Sequence, residues 1–233
     1  IAQDALTNAS CFNAADGSIK VSAAGGTGIV QYYISTAPTV PNSSGVFNGL
    51  AAGSYSITAK DEHNCSATLN AQVGQPVLLQ LNATVTDATC NGNANGSVSL
   101  QGTGGTAPYQ YSADGVSFNN SNVFNNLPAG DYTYYVKDSH GCSASKPVTV
   151  SQPTALTFTS SVSDALCKGS ATGTITVSAA GGTGAYQYNI DGNPFQSGNV
   201  LNNIAAGTRL AGVMDANGCV KTSNVFVGEP AAL

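Results

Sequence analysis

The chain has 233 residues, with 7 basic against 12 acidic side chains, a net charge of −5 and only 8% charged residues, where about a quarter is usual. So few Lys and Arg exclude the clustered basic footprint that displaces counterions from nucleic acid, and no apolar run approaches the ~20 residues of a membrane-spanning helix. With 42% apolar residues, 27 Gly and no Trp, the chain can collapse into cores, and it reads as an all-β, secreted protein.

One unit recurs three times. Gly25-Gly26 returns as Gly104-Gly105 and Gly181-Gly182, Ala52-Gly53 as Ala129-Gly130 and Ala206-Gly207, and Gln75-Pro76 as Gln152-Pro153 and Glu229-Pro230. The period is 77 residues, except that the first Gly pair lies 79 before the second. Unit one therefore carries two extra residues, placed in the Pro38–Gly45 stretch. A fixed period of this size marks an array of similar modules. The predicted domains are 1–76 with a truncated first strand, 77–153 and 154–230, and residues 231–233 open a further unit.

Within unit two, Leu79, Leu81, Ala83 and Val85 alternate with polar residues, the period of a half-buried strand. Val98 and Leu100 repeat the pattern before the turn at Gly104-Gly105. Tyr109-Gln110-Tyr111 opens a strand that ends at Asp114-Gly115, a pair suited to a hairpin turn. Val123 and Phe124 begin a short run stopped by Pro128-Ala129-Gly130. Tyr132, Tyr134 and Val136 then alternate with Thr133, Tyr135 and Lys137, and a last strand near Val148 and Val150 leads into Gln152-Pro153. Six or seven short strands at this spacing predict an Ig-like antiparallel β-sandwich. The fold expected for the whole chain is three such sandwiches laid end to end as an elongated rod, with almost no helix.

Each unit holds two cysteines: Cys11 and Cys65, Cys90 and Cys142, Cys167 and Cys219. Pairing within each unit (Cys11–Cys65, Cys90–Cys142, Cys167–Cys219) treats every copy alike. Pairing between successive units would leave one cysteine unpaired at each end. Such staples stabilise small sandwiches with modest cores and imply an oxidising, extracytoplasmic setting. Zinc is the alternative, but two thiolates per unit and no regular His leave its tetrahedral shell incomplete.

Taken in order, the signposts are a Cys and a Gly-Ser or Gly-Thr strand start (Gly17-Ser18, Gly96-Ser97, Gly173-Thr174), then the Gly-Gly-Thr turn and an aromatic pair (Tyr109 and Tyr111, Tyr186 and Tyr188). The Ala-Gly corner, Asp138-Ser139-His140-Gly141-Cys142 and Gln152-Pro153 follow. This order resembles the SprB-type repeats of very large surface adhesins in gliding and marine Bacteroidota. The resemblance covers nearly the whole chain. It implies export by the type IX secretion route and service as filament or stalk modules at the cell surface, outside the outer membrane. Unit one departs at Ile29-Val30, so Tyr32 should take the role of Tyr111, and unit three places Arg209 where Tyr55 and Tyr132 stand.

Candidate sites each have a plainer reading. Asp61, Asp138 and Asp215 stand four residues before a cysteine, where a carboxylate can accept backbone N–H groups and hold the hairpin. The alternative makes them calcium ligands, with Asp87 and Asp164 as further donors, although hard cations want six or more oxygens. Calcium is the one cofactor left open. His63 and His140 share a position that Asn217 fills in unit three, which marks a turn residue. The Gly-Gly-Thr segments lack the helix and Lys of a phosphate cradle, and no nucleophile elbow is present. The chain is not expected to be an enzyme. Tyr55 and Tyr132 fit a tyrosine corner, whereas Tyr135, opposite Tyr134 across its strand, is the candidate surface contact for a sugar. The leading expectation is a structural stalk segment giving reach for attachment or gliding. Its partners would be neighbouring repeats of the same chain and an extracellular surface or polysaccharide. A carbohydrate- or surface-binding module using exposed Tyr and Asn is the alternative.

Overall fold

The computed structural model describes residues 1–232, so residue 233, the last of the three expected to open a further unit, lies outside the described residues. Strands account for all the regular structure among those residues, and every pairing between them is antiparallel. The first repeat holds β1 (Ala2–Thr7), β2 (Gly17–Ser22), β3 (Gln31–Ile34), β4 (Ala37–Asn42), β5 (Val46–Leu50), β6 (Gly53–Lys60) and β7 (Ser66–Val73). Alternation decides which faces turn inward. Ile19 and Val21 of β2 and Ile57 and Ala59 of β6 are buried, while Lys20 and Lys60 face water. Two sheets result, in the orders β1-β2-β5 and β4-β3-β6-β7. Strands one, two and five on one sheet and three, six and seven on the other give the Ig-like β-sandwich. Ile19, Tyr32, Phe47, Ile57 and Val73 fill its core. The extra residues of this repeat lie at the edge strand β4, which pairs with β3. In the later repeats that edge shrinks to isolated bridges, Tyr111 to Asn119 and Tyr188 to Gln196.

The middle repeat contributes β8 (Gln80–Thr86), β9 (Gly96–Thr103), β10 (Gln110–Ser112), β11 (Val123–Leu127), β12 (Gly130–Lys137) and β13 (Ser143–Val150). They form sheets β11-β9-β8 and β10-β12-β13. The third repeat follows with β14 (Thr157–Ser163), β15 (Gly173–Ala180), β16 (Gln187–Ile190), β17 (Val200–Ile204), β18 (Gly207–Met214) and β19 (Val220–Val227), in sheets β14-β15-β17 and β16-β18-β19. Ile175, Val177, Ala211, Val213 and Val227 form its core. Each of these sheets draws its strands from a single repeat. The chain nonetheless divides into two compact units that cut the middle repeat: Ile1–Ala83 with Leu100–Asn122 and Thr133–Pro147, and Thr84–Ser99 with Val123–Tyr132 and Val148–Leu233.

Two local motifs have physical explanations. At the Gly-Ser/Thr strand start, a Cβ on Gly96 would lie 2.5 Å from Val150 Cγ1 and 3.0 Å from the Leu127 carbonyl oxygen. Gly17 against Val73 and Gly173 against Val227 repeat the arrangement at 2.6 and 2.7 Å. Only a residue without a side chain lets these strands close. At the Ala-Gly corner, the Tyr55 hydroxyl donates to the Ala51 carbonyl at 2.8 Å and Tyr132 to that of Pro128 at 2.8 Å, the tyrosine corner of Ig-like domains. Arg209 does the same work in the third repeat. Its Nε donates to Ala205 at 3.0 Å and Nη2 to Ala206 at 3.2 Å, while Nη1 reaches Asp191 at 3.4 Å.

Overpacking at such a contact costs about 1–3 kcal/mol. Gly96→Ala is therefore expected to lower the unfolding free energy by that much, read as a lower urea midpoint. Tyr55→Phe, which removes one hydrogen bond, should cost only about 1 kcal/mol. Chemical denaturation of both variants checks the order, and equal or reversed losses would contradict the packing account.

Candidate functional site

The residues that recur most regularly converge on the turns that carry the cysteines. In each repeat the turn aspartate uses both carboxylate oxygens. Asp138 Oδ1 accepts the N–H groups of His140 and Cys142 at 3.0 and 2.9 Å, and Oδ2 accepts that of Thr106 at 2.9 Å. Asp61 binds His63, Cys65 and Thr27 in the same way at 2.9, 2.8 and 3.0 Å. Asp215 binds Asn217, Cys219 and Thr183, each at 2.9 Å. One carboxylate thus ties the hairpin before the cysteine to the Gly-Gly-Thr turn. The turn must come close. A Cβ on Gly105, whose φ is +56°, would lie 2.6 Å from Asp138 Oδ2, so the second glycine serves both backbone hand and clearance. The N–H groups on Asp61, that of Thr27 first, hold its carboxyl below the usual carboxylate range.

The other cysteine of each repeat lies in the loop after the first strand, and the unit-ending Gln or Glu holds that loop. Gln75 Oε1 accepts the N–H of Asn13 at 2.7 Å, Gln152 that of Gly92 at 2.6 Å, and Glu229 Oε2 that of Gly169 at 2.7 Å. Asn13, Gly92 and Gly169 all have positive φ, at 60°, 80° and 74°. Just beyond, the Val77 carbonyl accepts the Gly105 N–H at 2.8 Å and that of Thr154 accepts Gly182 at 2.9 Å. The Gln-Pro motif therefore anchors the cysteine loop of one repeat, and the residue after it is pinned to the Gly-Gly turn of the next.

The disulfides join these two kinds of turn across repeats. Cys11 bonds Cys142 with Cα atoms 5.8 Å apart, and Cys90 bonds Cys219 at 5.7 Å, while Cys65 and Cys167 are exposed thiols. The expected pairings within units, Cys11–Cys65, Cys90–Cys142 and Cys167–Cys219, are corrected. The reason is strand length. Cys65 directly precedes β7, whereas Cys11 lies beside its far end, where the Ala9 N–H donates to the Gly74 carbonyl at 2.9 Å. Cys219 and Cys167 flank β19 in the same way, with Ala165 donating to Gly228 at 2.9 Å. Eight strand residues span about 25 Å, and a disulfide tolerates no more than ~7 Å between Cα atoms. Side contacts follow the bonds. Cys142 Sγ lies 3.4 Å from the Ser10 carbonyl oxygen, as Cys219 Sγ does from that of Thr89, and Asn217 Nδ2 donates to Thr89 at 2.9 Å. Each bridged joint falls whole within one of the two compact units.

The model of the SprB repeat matches residues 4–39, 82–118 and 159–195. The chain carries three SprB repeats. No curated protein matches it. Among solved structures, the three N-terminal domains of the highly immunogenic outer capsid protein of bacteriophage RB49 are similar at 14% identity, covering 97% of this chain and 100% of that one, with a TM-score of 0.43. The titin domains I67–I69 are similar at 14% identity over 99% and 98%, TM-score 0.38. The eight N-terminal Ig domains of the Down syndrome cell adhesion molecule are similar at 13% identity and TM-score 0.38. The chain covers 36% of that structure, and 97% of the chain is matched.

The remaining candidates take structural places in the SprB repeats. Asp87 Oδ1 accepts the Ser151 N–H at 2.8 Å and Asp164 Oδ1 that of Gly228 at 2.7 Å, while Asn8 in repeat one does the same for Gly74 at 2.8 Å. An amide that replaces a carboxylate there needs no cation. Among the described residues, no three His, Cys, Asp or Glu side chains come together as metal ligands, and the aspartates proposed for calcium spend their oxygens on N–H donors. Asn217, read from the sequence only as a turn residue, reaches the neighbouring repeat. At the equivalent position the charge of His140 adds a little to the lowered pKa of Asp16, which the Ser10 hydroxyl and N–H chiefly cause. Tyr135 is half-buried, with Gly115 against its ring. Thr58 and Gly212 take its place in the other repeats, so it is not part of the repeated pattern. Tyr32, Tyr111 and Tyr188 share one core position, each 8% exposed.

Replacing Asp138 by Ala removes the acceptor of three N–H groups and should cost roughly 3 kcal/mol, with no comparable loss for Asp131→Ala. Because the folded pKa of Asp61 is depressed, the stability its carboxylate supplies is present above its unfolded value, near 3.9, and is lost as pH falls through the folded value. Thermal melts between neutral and strongly acidic pH should decline only at the acid end, with a smaller decline in Asp61→Asn. Millimolar calcium should leave the melting temperature unchanged. A calcium-induced rise would contradict the N–H assignment of these carboxylates.

Proposed function

We propose that this chain is a non-enzymatic stalk segment of a large secreted cell-surface adhesin, placed outside the outer membrane, whose repeats at 1–76, 77–153 and 154–230 give reach for surface attachment or gliding. The observation that carries this reading is the covalent joint. A disulfide from one SprB repeat to the next limits how far the array can be drawn out. The two bridges enclose overlapping loops of 131 and 129 residues. The shortest covalent path from end to end runs through residues 1–11, 90–142 and 219–233, about one third of the chain at ~3.5 Å per residue. Load beyond the folded length would therefore meet sulfur bridges before it could unravel the sequence. Extracellular placement is supported by the same bonds, since disulfides persist in oxidising compartments.

A second reading, recognition of a polysaccharide, has one observation in its favour. Two aromatic rings have adjacent lysines, Tyr33 on β3 with Lys60 Nζ 5.3 Å from its ring centre, and Phe118 in the loop after β10 with Lys137 Nζ 4.3 Å from its own. Aromatic faces of this kind can stack on sugars.

Stretching the chain from its termini should give a maximum extension of about 270 Å when oxidised and about 800 Å after reduction; equal lengths would contradict a covalently limited stalk. In the intact surface protein, exchanging these repeats for unrelated Ig-like modules of equal length should preserve attachment if they act as a spacer. Loss of attachment in that exchange, reproduced by Tyr33→Ala with Phe118→Ala, would favour sugar recognition instead.

A further inference from the structure

The outer face of the four-stranded sheet in repeat one carries a cleft of about 280 Å³, lined by Tyr33, Ser35, Pro38, Ser56, Thr58 and Lys60 among others. One cross-strand pair decides whether such a space stays open. Tyr33 on β3 lies opposite Thr58 on β6, Ser112 opposite Tyr135 in repeat two, and Asn189 opposite Gly212 in repeat three. In repeat two the ring comes from the other strand of the pair. Tyr135 packs on Gly115, and Ser112 is fully buried. In repeat three Asn189 covers Gly212, where a Cβ would collide with its Oδ1, and its Nδ2 donates to the Asn193 carbonyl at 3.0 Å. Repeat one instead sets a half-buried Tyr33 beside the small Thr58, and its full edge strand β4 adds Pro38 to the lining.

The charge of this face differs as well. Ser35 stands where Asp114 and Asp191 stand in the other repeats. Asp114 accepts the Ser112 hydroxyl at 2.6 Å and Asp191 the Leu210 N–H at 2.8 Å. The Ser35 hydroxyl oxygen accepts the Ser56 N–H at 3.3 Å and has its own hydrogen to donate. Lys60 is exposed, with Nζ 5.3 Å from the Tyr33 ring centre. Among the described residues the only side-chain ion pair joins Arg209 to Asp191, so Lys60 has no carboxylate partner there. The acids next to it in sequence are engaged elsewhere. Asp61 accepts the N–H groups of Thr27, His63 and Cys65, and Glu62 accepts that of Ile29 at 3.1 Å.

We propose that this cleft binds one residue of a polysaccharide that bears an anionic group. The anion lies on Lys60 Nζ, the apolar face of the sugar ring lies against Tyr33 and Pro38, and ring hydroxyls meet Ser35 and Ser56. A charge-assisted hydrogen bond is about twice as strong as a neutral one, so the lysine selects charged sugars over neutral ones. A small inorganic anion would use the lysine alone and leave the ring and hydroxyls without a role. The volume lies just below the ~300 Å³ at which sites for larger ligands begin, which suits a single sugar ring. A uronic carboxylate and a sugar sulfate present the same chemistry to the ammonium. The inference rests on the second reading above, recognition of a polysaccharide, and adds to it the class of sugar and the place where it binds.

The test is an NMR titration of the intact, natively bridged chain with two anionic trisaccharides, trigalacturonate and sulfated maltotriose. Each is compared with its uncharged counterpart, the methyl ester or plain maltotriose. Amide signals of Tyr33, Ser35, Thr58 and Lys60 should move with at least one anionic probe, which should bind about tenfold more tightly than its counterpart. The stronger of the two names the anion. Lys60→Gln and Tyr33→Ala should each weaken that binding about tenfold. Thr58→Tyr, which gives repeat one the ring that fills this space in repeat two, should abolish it. Lys20→Gln, on the other sheet, should leave it unchanged, and amide signals far from each substitution report that the fold is retained. Equal affinity for the uncharged counterparts would overturn the anionic assignment while leaving sugar recognition standing. Shifts centred on Phe118 and Lys137, or an equal loss with Lys20→Gln, would overturn the place. No binding of any of the four probes would overturn the inference together with the reading it rests on.

Discussion

A disulfide can reach only ~7 Å between Cα atoms, while the last strand of each SprB repeat runs about 25 Å between the positions of its two cysteines. That mismatch governs the chain. No bond can close within a repeat, so each cysteine must find its partner in a neighbour, and the sulfur bridges become properties of the joints. Once a joint is bridged, the turns on both sides of it have to hold their shape. The most regular features of the sequence serve that need.

The turn aspartate, the second glycine of the Gly-Gly pair and the unit-ending Gln or Glu are three parts of one device. Asp138 satisfies three N–H groups that a tight hairpin and a left-handed turn would otherwise leave without partners, and Gly105 allows its approach. Gln152 does for the Cys90 loop what the aspartate does for the other turn. A neutral side chain suffices at the unit end, where Gln75 and Gln152 do the work of Glu229, and beside the device at Asn8, which replaces Asp87 and Asp164. The device rests on hydrogen-bond geometry, and this agrees with the low charge of the chain. Modules held in this way can be added in series, since each sheet is completed within its own repeat.

Much of the fold was legible in the sequence because a period of two is written into every strand. Val98 and Leu100, Tyr134 and Val136 alternate as read and are buried. The corner tyrosines, and Tyr32 standing in for Tyr111, followed from alignment of the copies. The disulfide map did not follow. Repetition suggests that each copy should satisfy itself, and an unpaired cysteine at either end looked like a defect, although it is what a ladder between neighbours produces. The signal was nonetheless present. Cys65 comes immediately before a final strand and Cys11 immediately after a first one, and in an Ig-like sandwich those two loops lie at opposite poles. Substitution of Tyr by Arg209 was equally opaque, because a guanidinium reaching two carbonyls replaces a hydroxyl reaching one.

The most direct measurement is proteolysis of the oxidised chain without reduction, followed by mass spectrometry of the linked peptides. The account predicts fragments joining Cys11 to Cys142 and Cys90 to Cys219, with Cys65 and Cys167 open to alkylation. Fragments joining Cys11 to Cys65, or Cys167 to Cys219, would contradict it.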